Sequence, residues 1–324
     1  MYNAVTQRKY GKPAHEVSLA RHAVDSVISD GDTVLVACSG GVDSMALLDA
    51  ALFLSRKRNC TVKAVVVDHQ LQAETSQAAY KAKEWAQAKG IEVFFIKVQL
   101  ETGGLETQAR KARYEAFELV ASQCHADIIM TAHHQEDQAE TVLLSLLQGS
   151  GPRSLAGIPP ARGKFRRPFL SLSKEQLYSA CRAENVPFWE DPSNQEDITA
   201  RNIVRQKLLP EWENILAHDI RPALAKTAAL CREEVEALDF FINQALDDVV
   251  QGQYVNVVKL RQYPAAVRKG VLQKLAIKSG AQRLSYHHLQ SLDTLVVQET
   301  GEGTVELPRK VSCTRVKKKL FFAK

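Results

Sequence analysis

A chain of 324 residues with 45% apolar and 24% charged side chains is built like a soluble globular protein and is long enough for two or three separate cores. Its net charge of +5 is uneven: from Val255 onward fourteen Lys and Arg face four acids, so this end carries an excess of ten positive charges and the remainder is five negative. No apolar run approaches the ~20 residues that cross a bilayer, and Met1 to His15 lacks the apolar segment of a secretory signal, so a cytoplasmic protein with no membrane partner is expected. Cys38, Cys60, Cys124, Cys181, Cys231 and Cys313 are scattered singly, which argues against a disulfide framework and against zinc or iron–sulfur ligation.

In chain order, Thr33 to Cys38 predicts a strand that turns through Ser39-Gly40-Gly41-Val42-Asp43-Ser44 into a helix from Met45. Further strands are expected at Val62 to Val67, Glu92 to Val98 and Asp127 to Thr131, alternating with helices at Glu74 to Lys89, Glu106 to Ser122 and Glu136 to Leu147. That alternation predicts a doubly wound α/β fold, a parallel sheet with helices on both faces and its ligands beyond the carboxyl ends of the strands. Gly157 to Pro168 reads as a basic irregular loop, Ser173-Lys174-Glu175-Gln176 as a capping box opening a helix to Glu184, and a helix is expected from Ile203 to Leu209, before Pro210. The first domain is placed at 1–217, a helical connector at 218–252, and a small basic α+β domain at 253–324 with helices Pro264 to Lys278 and Tyr286 to Val297 and a final strand pair.

The glycine-rich turn is a candidate phosphate site. A helix start leaves N–H groups unpaired and carries about half a positive charge, and glycines let a phosphate approach them. Ser39 and Ser44 add hydroxyls, while Asp43 would repel phosphate unless a divalent cation stood between them, which points to Mg²⁺. The Walker A lysine is absent. Asp137 and Glu140 are three apart on one helical face behind the pair His133-His134, a spacing suited to holding an amine and taking its proton, or simply to the helix dipole. Val67-Asp68-His69 closes a strand at the same edge, where backbone groups could read an adenine. Arg110 and Arg113 are three apart on one helix and by spacing alone read as solvent-facing charges, whereas Arg201 and Arg205, four apart on one face, suit bidentate phosphate binding. The basic end, with Lys317, Lys318 and Lys319, suits a polyanion such as RNA or is a solvated surface.

Ser-Gly-Gly-x-Asp-Ser after a strand resembles the pyrophosphate loop of the N-type ATP pyrophosphatases (adenine nucleotide alpha hydrolase-like proteins). Taken with Val67-Asp68-His69, Arg110, Arg113-Tyr114, Thr131 to Thr141 and Asp191 to Arg205, the chain resembles the tRNA(Ile)-lysidine synthetase family from about Thr33 to Pro210, in a short form. The resemblance implies ATP and Mg²⁺ at the loop, with Mg²⁺ on Asp43. It implies attack by the C2 oxygen of the wobble cytidine of a CAU-bearing tRNA(Ile) on the α phosphate, then displacement of AMP by free L-lysine. It also implies a homodimer, with Asp137 and Glu140 holding lysine, Asp137 acting as base, Arg113 and Arg205 on cytidine and adenylate, His133 lining the site, and Arg201, Arg205 and Lys317 to Lys319 on tRNA. One departure stands out: Leu307-Pro308 is followed by Arg309-Lys310 where the family pattern leads to glycine. The alternatives are a tRNA thiolase on the same scaffold and an RNA-binding protein without turnover.

Overall fold

The computed structural model describes residues 13–68, 73–97, 105–189, 199–299 and 301–324, which divide into two compact units at Ala229/Leu230. The first unit runs α1 (His15–Asp25), β1 (Thr33–Ala37), α2 (Val42–Arg58), β2 (Thr61–Asp68), α3 (Ala73–Ala88), β3 (Glu92–Lys97), α4 (Leu105–Gln123), β4 (Ile128–Met130), α5 (Gln135–Leu147), α6 (Pro152–Leu155), β5 (Ala161–Arg162), β6 (Phe165–Arg166), α7 (Lys174–Glu184), α8 (Ala200–Ile203), a π-helical turn (Val204–Leu208) and α9 (Leu209–Leu216). Its sheet has the order β3-β2-β1-β4-β6-β5, parallel except for the edge strand β5.

The central strands β1, β2 and β4 are buried on both faces, and their two-residue period separates the cores. Val34, Val36, Val62, Ala64, Val66, Ile128 and Met130 join α1, α2, α3 and α7 on one side. Leu35, Val65 and Ile129 join Phe117, Val120 and Ala121 of α4 on the other. This is the expected parallel sheet with helices on both faces. The chain steps from β1 outward to β2 and β3, then returns to place β4 on the other side of β1. That reversal opens a crevice at the carboxyl ends of β1 and β4, where doubly wound sheets bind ligands.

Several elements depart from the sequence reading. Helix α1 was not expected: it starts at Ala14 without a side-chain cap, and only Val17, Ala20 and Val24 mark its buried face. The loop Gly157 to Pro168 instead contains the hairpin β5–β6, whose two-residue strands are too short to leave a periodic signal. Helix α2 begins at Val42 rather than Met45, which puts Asp43 in its first turn. The helix expected to stop before Pro210 runs through it. Pro210 sits in the first turn of α9, where a missing N–H costs nothing, and the wider π turn before it makes room for the ring.

Helix α10 (Arg221–Val249) crosses the division between the units. The second unit then contains β7 (Val250–Gln251), β8 (Tyr254–Asn256), α11 (Val257–Arg261), α12 (Ala265–Lys278), α13 (Tyr286–Val297), β9 (Gly303–Leu307), β10 (Val311–Val316) and β11 (Lys319–Ala323). Its antiparallel sheet has the order β7-β8-β11-β10-β9, so the anticipated strand pair is three strands joined by a short hairpin. Arg309 and Lys310, between β9 and β10, both have left-handed φ (67° and 60°), the conformation that glycine takes without strain. None of the described helices is long and apolar enough to cross a membrane.

Half-buried Arg268 on α12 grips Asp293 on α13 with two hydrogen bonds of 2.8 and 2.9 Å. Asp293→Ala removes the counter-charge and leaves that guanidinium only its bond to the Tyr263 carbonyl (2.8 Å), which should cost about 3 kcal/mol. A lower urea midpoint for the intact chain, with the circular dichroism of the native state unchanged, is the expected result.

Candidate active site

The phosphate-type loop is closed by its own atoms. Gly40 takes φ +89° and a Cβ there would lie 2.8 Å from the Ala78 carbonyl oxygen, so only glycine fits. The Ser44 hydroxyl accepts from Ser39 N–H (3.1 Å) and donates to Gly41 O (2.9 Å), so it shapes the turn and is buried. The Ser39 residue remains exposed, with its hydroxyl 3.2 Å from Ser44 Oγ. Trp189 N–H donates to Gly40 O (3.0 Å), tying the loop to the chain after α7. Gly41 caps α2 in an extended conformation, so the N–H groups of Val42, Asp43 and Ser44 open the helix without intrahelical partners.

The beginning of α5 meets this helix start across the β1/β4 crevice. His134 sits between three carboxylates: its Nδ1 lies 2.8 Å from Glu136 Oε2, and its Nε2 lies 3.6 Å from both Asp43 Oδ2 and Asp137 Oδ2. Burial opposes a charge on the ring, but the Glu136 hydrogen bond together with Asp137 and Asp43 outweighs it and raises the pKa to about 9. His134 is therefore an imidazolium at neutral pH. Burial pushes the Asp43 carboxyl up, His134 works against this, and Asp137 and Glu136 add to it; Asp43 Oδ1 is buried with no hydrogen-bond partner. Glu136 also accepts from Lys174 N–H at the start of α7 (3.0 Å), so α7 helps to aim the imidazole. Gln138 exchanges two hydrogen bonds with Ile158 (2.7 and 2.8 Å), which fixes the chain after α6 beneath α5.

The carboxylates expected to face an amine are engaged by arginines. Glu140 is fully buried and receives Arg201 Nε (2.6 Å) and Arg205 Nε (2.5 Å) on separate oxygens. Asp137 accepts from Arg201 Nη2 (2.8 Å) through Oδ1 and from His134 N–H (3.1 Å) through Oδ2. Burial raises the Asp137 pKa, yet the charges of His134 and Arg201 overcome it and hold the carboxyl below the usual range. His133 bonds Thr131 Oγ1 through Nδ1 (3.0 Å); burial, with Arg167, Arg110 and Arg201 nearby, drops its pKa to about 4 despite Asp137. It is a neutral ring beside a charged one.

Of the residues singled out from the sequence, Asp43, His133, Asp137, Glu140, Arg201 and Arg205 are brought together by the fold. Arg113 lies on α4 near Arg110 and is exposed; desolvation by the atoms around it, and then Arg110's charge, lower its pKa. Asp68 ends β2 as a buried residue, and His69 lies outside the described residues. Lys317 and Lys318 form the β10–β11 turn with Lys319 beginning β11, all exposed and in the second unit. The residues missed were His134 and Glu136; their signal was a second histidine two residues before an acid at a helix start.

The charge on His134 makes stability depend on pH. Its folded pKa of about 9 lies above the unfolded value of about 6.5, so its contribution is complete below pH ~6.5 and is lost as pH rises through ~9. In metal-chelating buffer without nucleotide, the unfolding free energy should fall between these values by an amount on the order of 3 kcal/mol. His134→Asn should remove most of that slope; an unchanged slope would place the titration elsewhere.

The PP-loop domain family matches residues 11–212. Over 304 residues the chain is 37% identical to a tRNA(Ile)-lysidine synthase of Thermobifida fusca (strain YX), covering 91% of this chain and 94% of that one. Over 298 residues it is 39% identical to a tRNA(Ile)-lysidine synthase of Salinispora tropica, covering 89% of each chain. Among solved structures, the U34-tRNA thiolase NcsA from Methanococcus maripaludis, with its 4Fe–4S cluster, superposes at a TM-score of 0.56 over 68% of this chain and 78% of that one. At 14% identity that likeness concerns the fold alone. With a glycine-closed loop opening α2, a carboxylate in its first turn and relatives matched over nine-tenths of its length, the chain belongs to the PP-loop family and, within it, to the tRNA(Ile)-lysidine synthases.

Proposed function

We propose that the protein uses ATP to join free L-lysine to C2 of the wobble cytidine of a tRNA(Ile) with anticodon CAU, giving lysidine, AMP and pyrophosphate. The observation that carries this reading is that one imidazolium, His134, links the loop carboxylate Asp43 to Asp137 and, through it, to Glu140 and the two arginines. Groups suited to a triphosphate and groups suited to an amine thus share one constellation.

In this reading the phosphates of ATP lie on the N–H groups of Val42 to Ser44, with Ser39 reaching them from the side and Gly40 and Gly41 leaving the approach clear. The end of β2, with Asp68 and His69, holds the adenine. The unpartnered Oδ1 of Asp43 is a hard oxygen donor that fits Mg²⁺, which when bound supplies charge neutralisation for the leaving pyrophosphate. Among the described residues no cluster of three or more His, Cys, Asp or Glu makes a metal site alone; one carboxylate completed by substrate phosphates is the usual arrangement for this ion.

The C2 oxygen bonds to the α phosphorus as its bond to the bridging oxygen breaks; the lysine ε-nitrogen then bonds to C2 as the C2–O bond to AMP breaks. Arg113 and Arg205 hold cytidine and the adenylate phosphate, and neutral His133 lines the site. Asp137 and Glu140 are occupied by Arg201 and Arg205 before substrate arrives, so binding proceeds by exchange: guanidinium groups turn to phosphate and the ε-ammonium takes their place. Asp137 is a weak base while Arg201 is on it. With the ε-ammonium in place of that guanidinium, Asp137 takes the ammonium proton as the nitrogen forms its bond to C2. Lys317 to Lys319 and Arg201 contact tRNA, and the assembly is a homodimer.

A thiolase reading needs a reactive thiol at the loop. Cys38 is buried against Met45 Sδ (3.5 Å), and its pKa is raised by burial, so it is held as an unreactive thiol. The deciding experiment incubates the protein with unmodified tRNA(Ile), ATP, Mg²⁺ and labelled lysine, without a sulfur donor; label in RNA is expected, and its absence would overturn the proposal. Asp137→Asn should keep tRNA affinity but lose lysine transfer. Gly40→Ala should strain the loop by about 1–3 kcal/mol and weaken ATP binding in calorimetric titration, with tRNA affinity unchanged.

A further inference from the structure

The second unit contains an open pocket of about 140 Å³, formed where the last turn of α12 faces β8 and β11. Val255, Leu275, Leu320 and Phe322 give it an apolar lining, while Lys278 and Gln253, both exposed, and Ser279 supply polar groups. No acid lines it among the described residues. Two further lysines stand close by. Lys319 Nζ is 4.0 Å from the ring centre of Tyr254, another lining residue, and Lys324 Nζ passes 3.9 Å from where a Cβ on Gly280 would be. The pocket belongs to the stretch from Val250 to Lys324 and uses none of the residues of the catalytic constellation.

We infer that this pocket receives a single unpaired base of the RNA substrate. The inference rests on the RNA reading above and adds a second binding element to it. The pocket is too small for a whole nucleotide, and its apolar lining with few polar groups suits a base, which offers a flat apolar face with hydrogen-bonding edges for Gln253 and Ser279. The carboxyl end of α12 forms one wall, and its negative pole disfavours an anion inside. A neutral base enters, and its flanking phosphates stay outside on Lys278, Lys319 and Lys324. The excess of ten positive charges after Val255 favours a polyanion over a peptide as the occupant.

The test uses the full chain and tRNA(Ile) transcripts in which 4-thiouridine replaces a fraction of the uridines. Irradiation should give an RNA adduct on peptides carrying 275–279 or 320–322. Ser279→Phe fills the pocket without changing charge; it should remove the adduct and raise KM for tRNA about tenfold, the loss of one stacked base, with kcat held within about twofold. If Ser279→Phe does not fold, Lys278→Glu at the exposed rim is read in the same way. Adducts confined to other peptides, or an unchanged KM in the folded variants, would overturn the inference. A peptide ligand in place of RNA would leave KM for tRNA untouched. Should the wild type make no lysidine at all, the reading of the substrate fails by itself, and the adduct map still decides whether a base enters the pocket.

Discussion

A buried positive charge on one imidazole ring is what the arrangement at the β1/β4 crevice depends on. Asp43, Glu136 and Asp137 come together at the starts of two helices, and three carboxylates so placed would repel one another or take up protons. His134 lies within 3.6 Å of each, and the N-terminal ends of α2 and α5 add partial positive charge. The ring is itself fixed, because Glu136 binds both Nδ1 and the first N–H of α7. Remove the ring's proton and the acids lose their common counter-charge. The second layer, Arg201 and Arg205 on Glu140 and Asp137, adds two bases, so the whole constellation sets three bases against four acids.

Much of this was legible in the sequence, and for definite reasons. Apolar runs predicted the four parallel strands because the central ones are buried on both faces and the edge strand β3 is partly buried on each. The glycines predicted the loop because a left-handed φ at Gly40 and the nearness of Ala78 admit nothing larger. The acids at 137 and 140 were visible through their i,i+3 spacing. What they bind was not, because spacing along one helix says nothing about which residues arrive from another. Arg201 and Arg205 were read as phosphate ligands from their own i,i+4 spacing, and the structure shows the same two spacings meeting each other. His134 was hidden beside His133: only tertiary surroundings separate a ring near pKa 4 from one near 9.

The elements that escaped share a cause. β5, β6 and β7 are two residues long, which is less than one period of any strand pattern. Helix α1 begins without a capping side chain, and Pro210 marked an apparent stop that the π turn absorbs. In the second unit the basic composition was plain, whereas the pocket beside α12 was not, since its lining comes from three elements distant in sequence. The turn at Arg309 and Lys310 shows the converse: a missing glycine in the sequence corresponds to two side chains held in a backbone conformation that glycine would take freely.

The bond from Trp189 N–H to the carbonyl of Gly40 bears on the order in which the protein is made. The first strand and the glycine turn leave the ribosome early, but the atom that fastens the turn from outside belongs to a segment synthesised much later. His134, which neutralises Asp43, also comes after the turn. A nascent chain can thus form β1 and α2 before its nucleotide loop has either its fastening or its counter-charge. The loop has both only once Trp189 has been made, when most of the first unit already exists.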